Sequence, residues 1–381
     1  MNYRGDIAAR PNVLIIDDHL QSITLLVNEL EERETTVVSV EPREVSLDVL
    51  RNADVVVTDF MLDEERWTES HETVDIARRP QNGLALTAVL RSLVDYRFKE
   101  DESPKAFTLH TSHLSKLAHS HDLKDRRLHV LARLNDLEWV FEKDEDAVGN
   151  AISIVAIAKA VRKLRNIVAS SATEHHVTTL LGLDISDRDG WQHRAWLSAQ
   201  AAQPPIRDYF EQSSGFSFLR WLLQRVLPFH CFLIERRGVA ARLNVSLNWL
   251  TTELTSSSKF AAAMKEFQYK GILDDFQRQQ FFWRIGIEQA LRDLDVAFPF
   301  DFKQLPTMLT PYCETPPESL GLRKPVLVLD AHLRYEDHPI DSLKAKRIFP
   351  DDWPSFVDAA YVSQELAQSD EAIKRLEGAE E

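Results

Sequence analysis

The stretch Asn12-Val13-Leu14-Ile15-Ile16-Asp17-Asp18 constrains the fold most, read together with Asp54-Val55-Val56-Val57-Thr58-Asp59. Each run is β-branched and aliphatic, too short for a helix, and ends abruptly in carboxylates. Short unbroken apolar runs of this kind are strands buried on both faces, as in parallel sheets. The carboxyl edge of such a sheet is where open α/β folds place their ligands. Carboxylates brought together at that edge repel one another unless a cation joins them. A hard divalent ion such as Mg²⁺ suits an all-oxygen donor set. The pattern therefore points to an acidic, metal-assisted pocket with Asp59 as its reactive group.

At 381 residues the chain has room for two or three domains. It has no apolar run long enough to span a membrane, and residues 1–11 lack the apolar core of a signal peptide. Cys231 and Cys313 lie far apart, which fits a reducing cytosol rather than a disulfide framework. The expectation is a soluble cytoplasmic protein. The net charge is −15, with the acidic excess concentrated in the first 150 residues. That excess disfavours wholesale nucleic-acid binding, which relies on phosphate neutralisation. The mildly basic middle of the chain leaves room for a local DNA contact.

The first domain reads as strands alternating with helices. Strands are expected at 12–17, 35–40, 54–59, 105–110 and 137–142. Helices are expected at Leu20 to Glu32, Ser46 to Arg51, Gly83 to Tyr96 and over 113–136, with an insertion loop at 63–81. This alternation implies a doubly wound parallel sheet with right-handed crossovers. Its strands end at Asp17/Asp18, Asp59, Thr111 and Lys143.

In that order, these four features resemble the receiver domain of two-component response regulators, over residues 10–150. The resemblance implies a flavodoxin-like α/β domain in which Asp59 accepts a phosphoryl group from a histidine kinase or phosphotransfer protein. Asp17, Asp18 and Asp59, with the backbone carbonyl of Met61, would hold Mg²⁺. Lys143 would pair with Asp59 and later with the phosphoryl group, and Thr111 would hydrogen-bond a phosphoryl oxygen. Five features depart from the family pattern. Asp144 stands where a proline is usual, Val140 occupies the aromatic switch position between Trp139 and Phe141, the 63–81 and 112–136 segments are long, and His19 follows the acidic pair where an acidic or amide residue is usual. A receiver scaffold that is never phosphorylated is the competing expectation. The histidines His110, His113, His119, His121 and His129 invite a metal reading, but their spacing is irregular and His110 belongs to the fourth strand, so a His-rich helix and loop is favoured over a metal site.

Ala147 to Val168 reads as one long helix. Val148, Ile152 and Val155 would close the receiver core. Ile154, Ile157, Val161, Leu164 and Val168 form a second stripe at heptad spacing, open to homodimerisation or to packing on the next domain. With 151–169 as connector, residues 170–381 are expected to form a mainly α-helical output domain that works through a protein partner. Within it, 238–254 resembles a helix-turn-helix, with Asn244 in the turn and Ser246 capping the second helix. Arg242, Asn248, Thr251 and Thr252 are its candidate DNA-contacting residues, but the second helix carries no Lys or Arg, so DNA is not the favoured partner. Lys324 to Asp330 reads as a strand and Ser355 to Leu366 as a helix. Asp330, His332 and Asp337 would make only a chance metal set. No phosphate-cradling glycine loop, zinc spacing or nucleophile elbow appears, so no enzymatic activity is expected beyond phospho-acceptance.

Overall fold

In the computed structural model, residues 10–62, 80, 82–97, 105–117, 127–143, 146–168, 174–205, 216–297 and 299–378 are described. The apolar runs form five parallel strands: β1 (Asn12–Ile16), β2 (Thr36–Val40), β3 (Val55–Thr58), β4 (Ala106–Thr111) and β5 (Trp139–Glu142). Their spatial order is β2-β1-β3-β4-β5. Val55, Val56 and Val57 are all buried, as a strand covered on both faces requires. Between the strands run α1 (Thr24–Glu32), α2 (Leu47–Asn52), α3 (Gly83–Arg97), the short α4 (Leu114–Leu117) and α5 (Leu128–Leu134). Ser46 caps α2, its hydroxyl accepting from the Val49 N–H. Two apolar clusters lie along one face of the sheet, one around Leu14, Leu50, Val56, Leu86 and Leu90, the other around Leu109, Leu114, Leu131 and Val140.

Some boundaries move. The expected helix from Leu20 opens as a 3-10 turn, Leu20–Ile23, before α1 begins. The 63–81 insertion, Asp144, His119, His121 and the middle of the 113–136 segment lie outside the described residues, Pro80 excepted.

The long helix α6 (Ala147–Val168) is a single element, as expected. Ile154, Ile157, Val161 and Leu164 are all buried, and the helix packs on α1. The stripe offered for dimerisation is thus consumed inside the domain, because α1 and the Phe276 segment pack against the helix. Arg165 carries this packing to an ion pair with the buried Asp54, 2.5 Å away, although 111 residues separate them.

The chain divides into two compact units, and the division does not follow the expected boundaries. The first unit takes in residues through Leu180, but also 205–224 and 272–278. Three pieces of the nominal output region therefore belong to the sheet domain. They are the chain through Leu180, α9 (Phe216–Trp221) with the chain to Gln224, and the stretch around Phe276. The Gln224 amide donates to the carbonyls of Leu137 (2.7 Å) and Glu138 (3.4 Å), at the start of the edge strand β5. Phe276 meets Trp139 edge to face, with ring centroids 4.9 Å apart. The element completing this unit is α7 (Glu174–Leu180).

The second unit is mainly helical. It holds α8 (Trp191–Ala201), α10 (Arg236–Leu243), α11 (Leu247–Glu253), α12 (Lys259–Glu266), α13 (Arg284–Asp293) and α14 (Leu305–Leu309). Its main core gathers Val239, Leu243, Leu250, Phe260, Phe267 and Phe282. Short strands β6 (Leu233–Glu235) and β7 (Phe281–Trp283) pair antiparallel within it. Toward the end of the chain the expectations fail twice. The Lys324 to Asp330 strand shrinks to β8 (Pro325–Val326), paired with β9 (Ile340–Asp341). The Ser355 to Leu366 helix is instead β11 (Ala360–Ser363), paired with β10 (Ala345–Ile348), and then α15 (Gln364–Ser369). Ala360 and Val362 point inward while Tyr361 and Ser363 are half-buried, a period of two that no helix can satisfy.

Candidate functional site

Strand register delivers the chemistry to one edge. Ile16 pairs with Val40 and with Thr58, Thr58 with Leu109, and Thr111 with Glu142, so the carboxyl ends stand side by side. Backbone hydrogen bonds extend the ladder one residue further. The Asp17 N–H donates to Val40, that of Asp59 to Ile16 and that of Lys143 to Thr111. The residues after each strand are therefore held by sheet geometry rather than by free loops. Asp17, Asp18 and Asp59 are all buried, and one carboxylate oxygen from each lies within 4.8 Å of the others. Among the described residues this is the one group of three or more metal-ligating side chains; no such group forms around the histidines or around Asp330, His332 and Asp337.

Lys143 closes the cluster. Its Nζ lies 2.8 Å from Asp17 Oδ2 and 2.9 Å from Asp59 Oδ2. Burial alone would make its proton easier to lose. Its hydrogen bonds to Asp17 and Asp59 outweigh that, and the ammonium is held above its usual pKa. Asp59 is shifted the other way for a carboxylate. Burial raises its pKa, and the charge of Asp17 adds to the rise. Lys143 and the N–H of Met61 offset only part of it. Asp59 is thus a carboxylate short of compensating charge, in the position where a cation would supply it.

The donor set fits Mg²⁺. Octahedral Mg²⁺ with oxygens at about 2.1 Å places its donors roughly 3 to 4.2 Å apart, the spacing these three carboxylates can reach. Asp17 is also oriented from behind, its Oδ1 accepting the His19 N–H at 2.8 Å. Met61 is present at the site through its backbone N–H, which reaches the Asp59 carboxylate.

Thr111 is fully buried at the end of β4, and its Oγ1 accepts the N–H of His113 at 3.0 Å, so the hydroxyl sits in a turn that sets its direction. Next to it His110 is buried, and burial, helped by the Lys143 charge, lowers its pKa to about 3. It is a neutral imidazole whose Nδ1 has no hydrogen-bond partner among the described residues. One residue that shapes the Asp59 backbone carries no clear sequence signal. Gly83 opens α3 against the backbone of Asp59, with its N–H donating to Phe60 at 2.9 Å. A Cβ there would stand 1.6 Å from the Asp59 carbonyl oxygen. Its only trace in the sequence is a glycine at a helix start, where glycine has no propensity advantage.

At 238–254 two short helices, α10 and α11, are joined by a turn. Asn244 turns the chain between α10 and α11 with φ 57°, and the Ser246 hydroxyl accepts from the Trp249 N–H. Asn248 and Thr252 are exposed, and Thr251 is half-buried. Arg242 lies in the field of Arg284, Asp358 and Glu288. The start of α11 is covered by the chain's own 314–322 segment. The Ser246 N–H donates to the Glu318 carbonyl and its hydroxyl to the Glu318 carboxylate, while the Trp249 indole donates to Thr315 at 3.2 Å. The first turn of a recognition helix is the part that reads base edges, and here a glutamate and a loop occupy it.

No protein-family model matches the chain, and no curated protein does. Among solved structures, one similarity is to the signal receiver domain of a putative LuxO repressor protein from Vibrio parahaemolyticus. It has 16% identity and a TM-score of 0.26, covering 40% of this chain and 93% of that one. A second is to the response regulator ChrA of a heme-sensing two-component system, with 14% identity and a TM-score of 0.24, covering 75% and 98%. The fold rests on strand order, register and the residues that close each strand, not on these likenesses. With the order β2-β1-β3-β4-β5 and with Asp17, Asp18, Asp59, Thr111 and Lys143 along its carboxyl edge, the first unit has the receiver fold of two-component response regulators.

Proposed function

We propose that this protein is an atypical response regulator whose receiver unit accepts a phosphoryl group on Asp59. One observation carries the reading: Lys143 bridges Asp17 and Asp59 at 2.8 and 2.9 Å, within a cluster of three buried carboxylates. A lysine used only for packing would not be held between two carboxylates that could instead share a divalent ion.

Asp17, Asp18 and Asp59 would hold Mg²⁺, which when bound offsets charge on the carboxylates and on the transferred phosphoryl oxygens. The chain's own residues do the rest. An Asp59 carboxylate oxygen forms the new bond to phosphorus as the P–N bond of a phosphohistidine donor breaks. The electron pair and a proton end on the departing imidazole. Lys143 shifts its hydrogen bond from Asp59 to a phosphoryl oxygen, keeping a positive charge beside the added negative charge. Thr111 turns its hydroxyl from the His113 N–H toward the same group. The donor is a histidine kinase or phosphotransfer protein, and the second unit serves as output through protein contacts. The covered start of α11 supports a protein partner over DNA.

The test is the intact mass of the purified chain after incubation with a small-molecule phosphodonor and Mg²⁺. One phosphoryl addition is expected in the wild type, and none in Asp59→Asn or in wild type treated with a chelator. A wild-type mass that does not change with any donor would leave only an unphosphorylated scaffold.

A further inference from the structure

The second unit contains a cavity of about 520 Å³ that the signalling chemistry does not use. This volume is in the range of small-molecule sites. One wall is aromatic: the Phe232 and Trp283 rings lie nearly parallel with centroids 5.8 Å apart, and Phe356 joins them. The other wall carries two opposite charges. Arg284 and Glu288 stand one turn apart on the same face of α13, and both line the space.

Their states differ. Arg284 is fixed by Asp358, its Nη1 lying 2.6 Å from the carboxylate, which leaves its other N–H donors for a ligand. Glu288 forms no hydrogen bond or close ion pair among the described residues, although it lies in the field of Arg242. The cavity therefore offers an anchored guanidinium, a carboxylate with unused acceptor capacity and an aromatic wall. A ligand bearing only a carboxylate leaves Glu288 unanswered. One bearing only an ammonium leaves the free face of Arg284 unanswered.

We propose that this cavity binds a free α-amino acid with an apolar or aromatic side chain. Its carboxylate meets Arg284, its ammonium meets Glu288, and its side chain lies against Phe232, Trp283 and Phe356. Charge-assisted contacts at both ends supply orientation. Phe356, half-buried, supplies most of the apolar contact, and the nearly buried Phe232 and Trp283 back it. Such a site makes the output unit a sensor of a small metabolite, independent of phosphorylation at Asp59.

The experiment is calorimetric titration of the full-length protein with L-phenylalanine, L-tryptophan and L-leucine, beside 3-phenylpropionate and 2-phenylethylamine. At least one amino acid is expected to bind, with each single-charge analogue about tenfold weaker or more, the effect of one lost charged hydrogen bond. Glu288→Gln should weaken the amino acid to the level of 3-phenylpropionate and leave 3-phenylpropionate unchanged. Ser198→Trp, at an exposed position on the rim, should block every ligand without disturbing the core. Overturning results are saturable binding of none of the three amino acids, equal affinity for amino acids and single-charge analogues, or binding that survives both substitutions.

Discussion

Replacing Lys143 by methionine removes the cation from a buried cluster while keeping most of the side chain's apolar stem. Asp17 and Asp59 then face each other with only Asp18 for company. Two unit charges about 4 Å apart repel by about 4 kcal/mol at an effective dielectric of 20. Truncating one partner of a buried pair has a typical cost of about 3–5 kcal/mol. Lys143 is 16% exposed, so the lower end, about 3 kcal/mol, is expected. The loss should depend on pH. Asp59 already holds its proton above its usual range. Between its unfolded and folded pKa values the native state binds more protons than the unfolded one, so stability falls as pH rises through the folded value. The variant strengthens that trend, because protonation is then its main relief from repulsion. Mg²⁺ offers a second relief. Hydrogen exchange of peptides covering β1 and β5 gives the local opening free energy without assuming that the two units unfold together. The deficit should be largest near neutral pH in chelator, and smaller at acidic pH or with millimolar Mg²⁺. An equal deficit under all these conditions would refute the electrostatic account and leave only lost packing.

Other perturbations follow from contacts away from the charges. Gly83→Ala puts a methyl group into the Asp59 carbonyl, which is backbone and cannot yield cheaply. We expect about 3 kcal/mol of destabilisation around β3, and loss of phosphoryl uptake in the mass assay even where the chain folds. Asn244→Ala replaces a residue that tolerates φ near 57° by one that does so poorly, and removes the amide's hydrogen bonds to the Phe302 and Leu322 carbonyls. About 2–3 kcal/mol should be lost from the second unit, and Asn244→Gly should recover about half of that, as thermal or denaturant unfolding would show. Glu138→Gln leaves Arg91 and Arg220 without their shared carboxylate. The expected loss is about 3 kcal/mol, read as faster exchange in β5 and in residues 217–224.

Much of the receiver unit was legible because its signals are local. A β-branched run closing in Asp17 or Asp59 states both that a strand exists and which end matters. Lys143 needed only the fifth strand before it. What escaped depends on distance along the chain. Nothing local in Asp54 announces Arg165, and nothing in Lys105 shows that its Nζ will bond the carbonyls of Arg51 and Ala53 from a buried position. The heptad stripe of α6 was read correctly as apolar, but periodicity cannot say whether a partner is a second copy or the chain's own α1 and Phe276 segment. The Ala360–Ser363 strand was missed although its alternation is present, because four residues beside a true helix are easily absorbed into it. The cavity beside Trp283 had no sequence signal at all, since its walls come from four separate stretches.

The departures at β5 bear on how occupancy of Asp59 could be read out. With Val140 fully buried in the switch position, a tyrosine-like ring cannot swing between two states there. The aromatic neighbours are committed as well: Phe141 is buried, and Trp139 is packed against Phe276. Yet β5 is held at both ends by groups with a stake in signalling. Lys143 ties its carboxyl end to the acidic cluster. At its amino end, Glu138 and Leu137 are gripped by Arg220 and Gln224, and Trp139 by Phe276. The second set of contacts comes from segments late in the sequence that the receiver unit has incorporated. On the proposed reading, a shift of Lys143 toward a phosphoryl group would pull on a strand that those segments grip, with no rotamer switch in between. Phe276→Ala separates the two possibilities. If β5 is the link, phosphorylation at Asp59 proceeds at the wild-type rate in this variant, but its effect on hydrogen exchange across 217–224 is lost. If that exchange response survives unchanged, the signal leaves the receiver by another route.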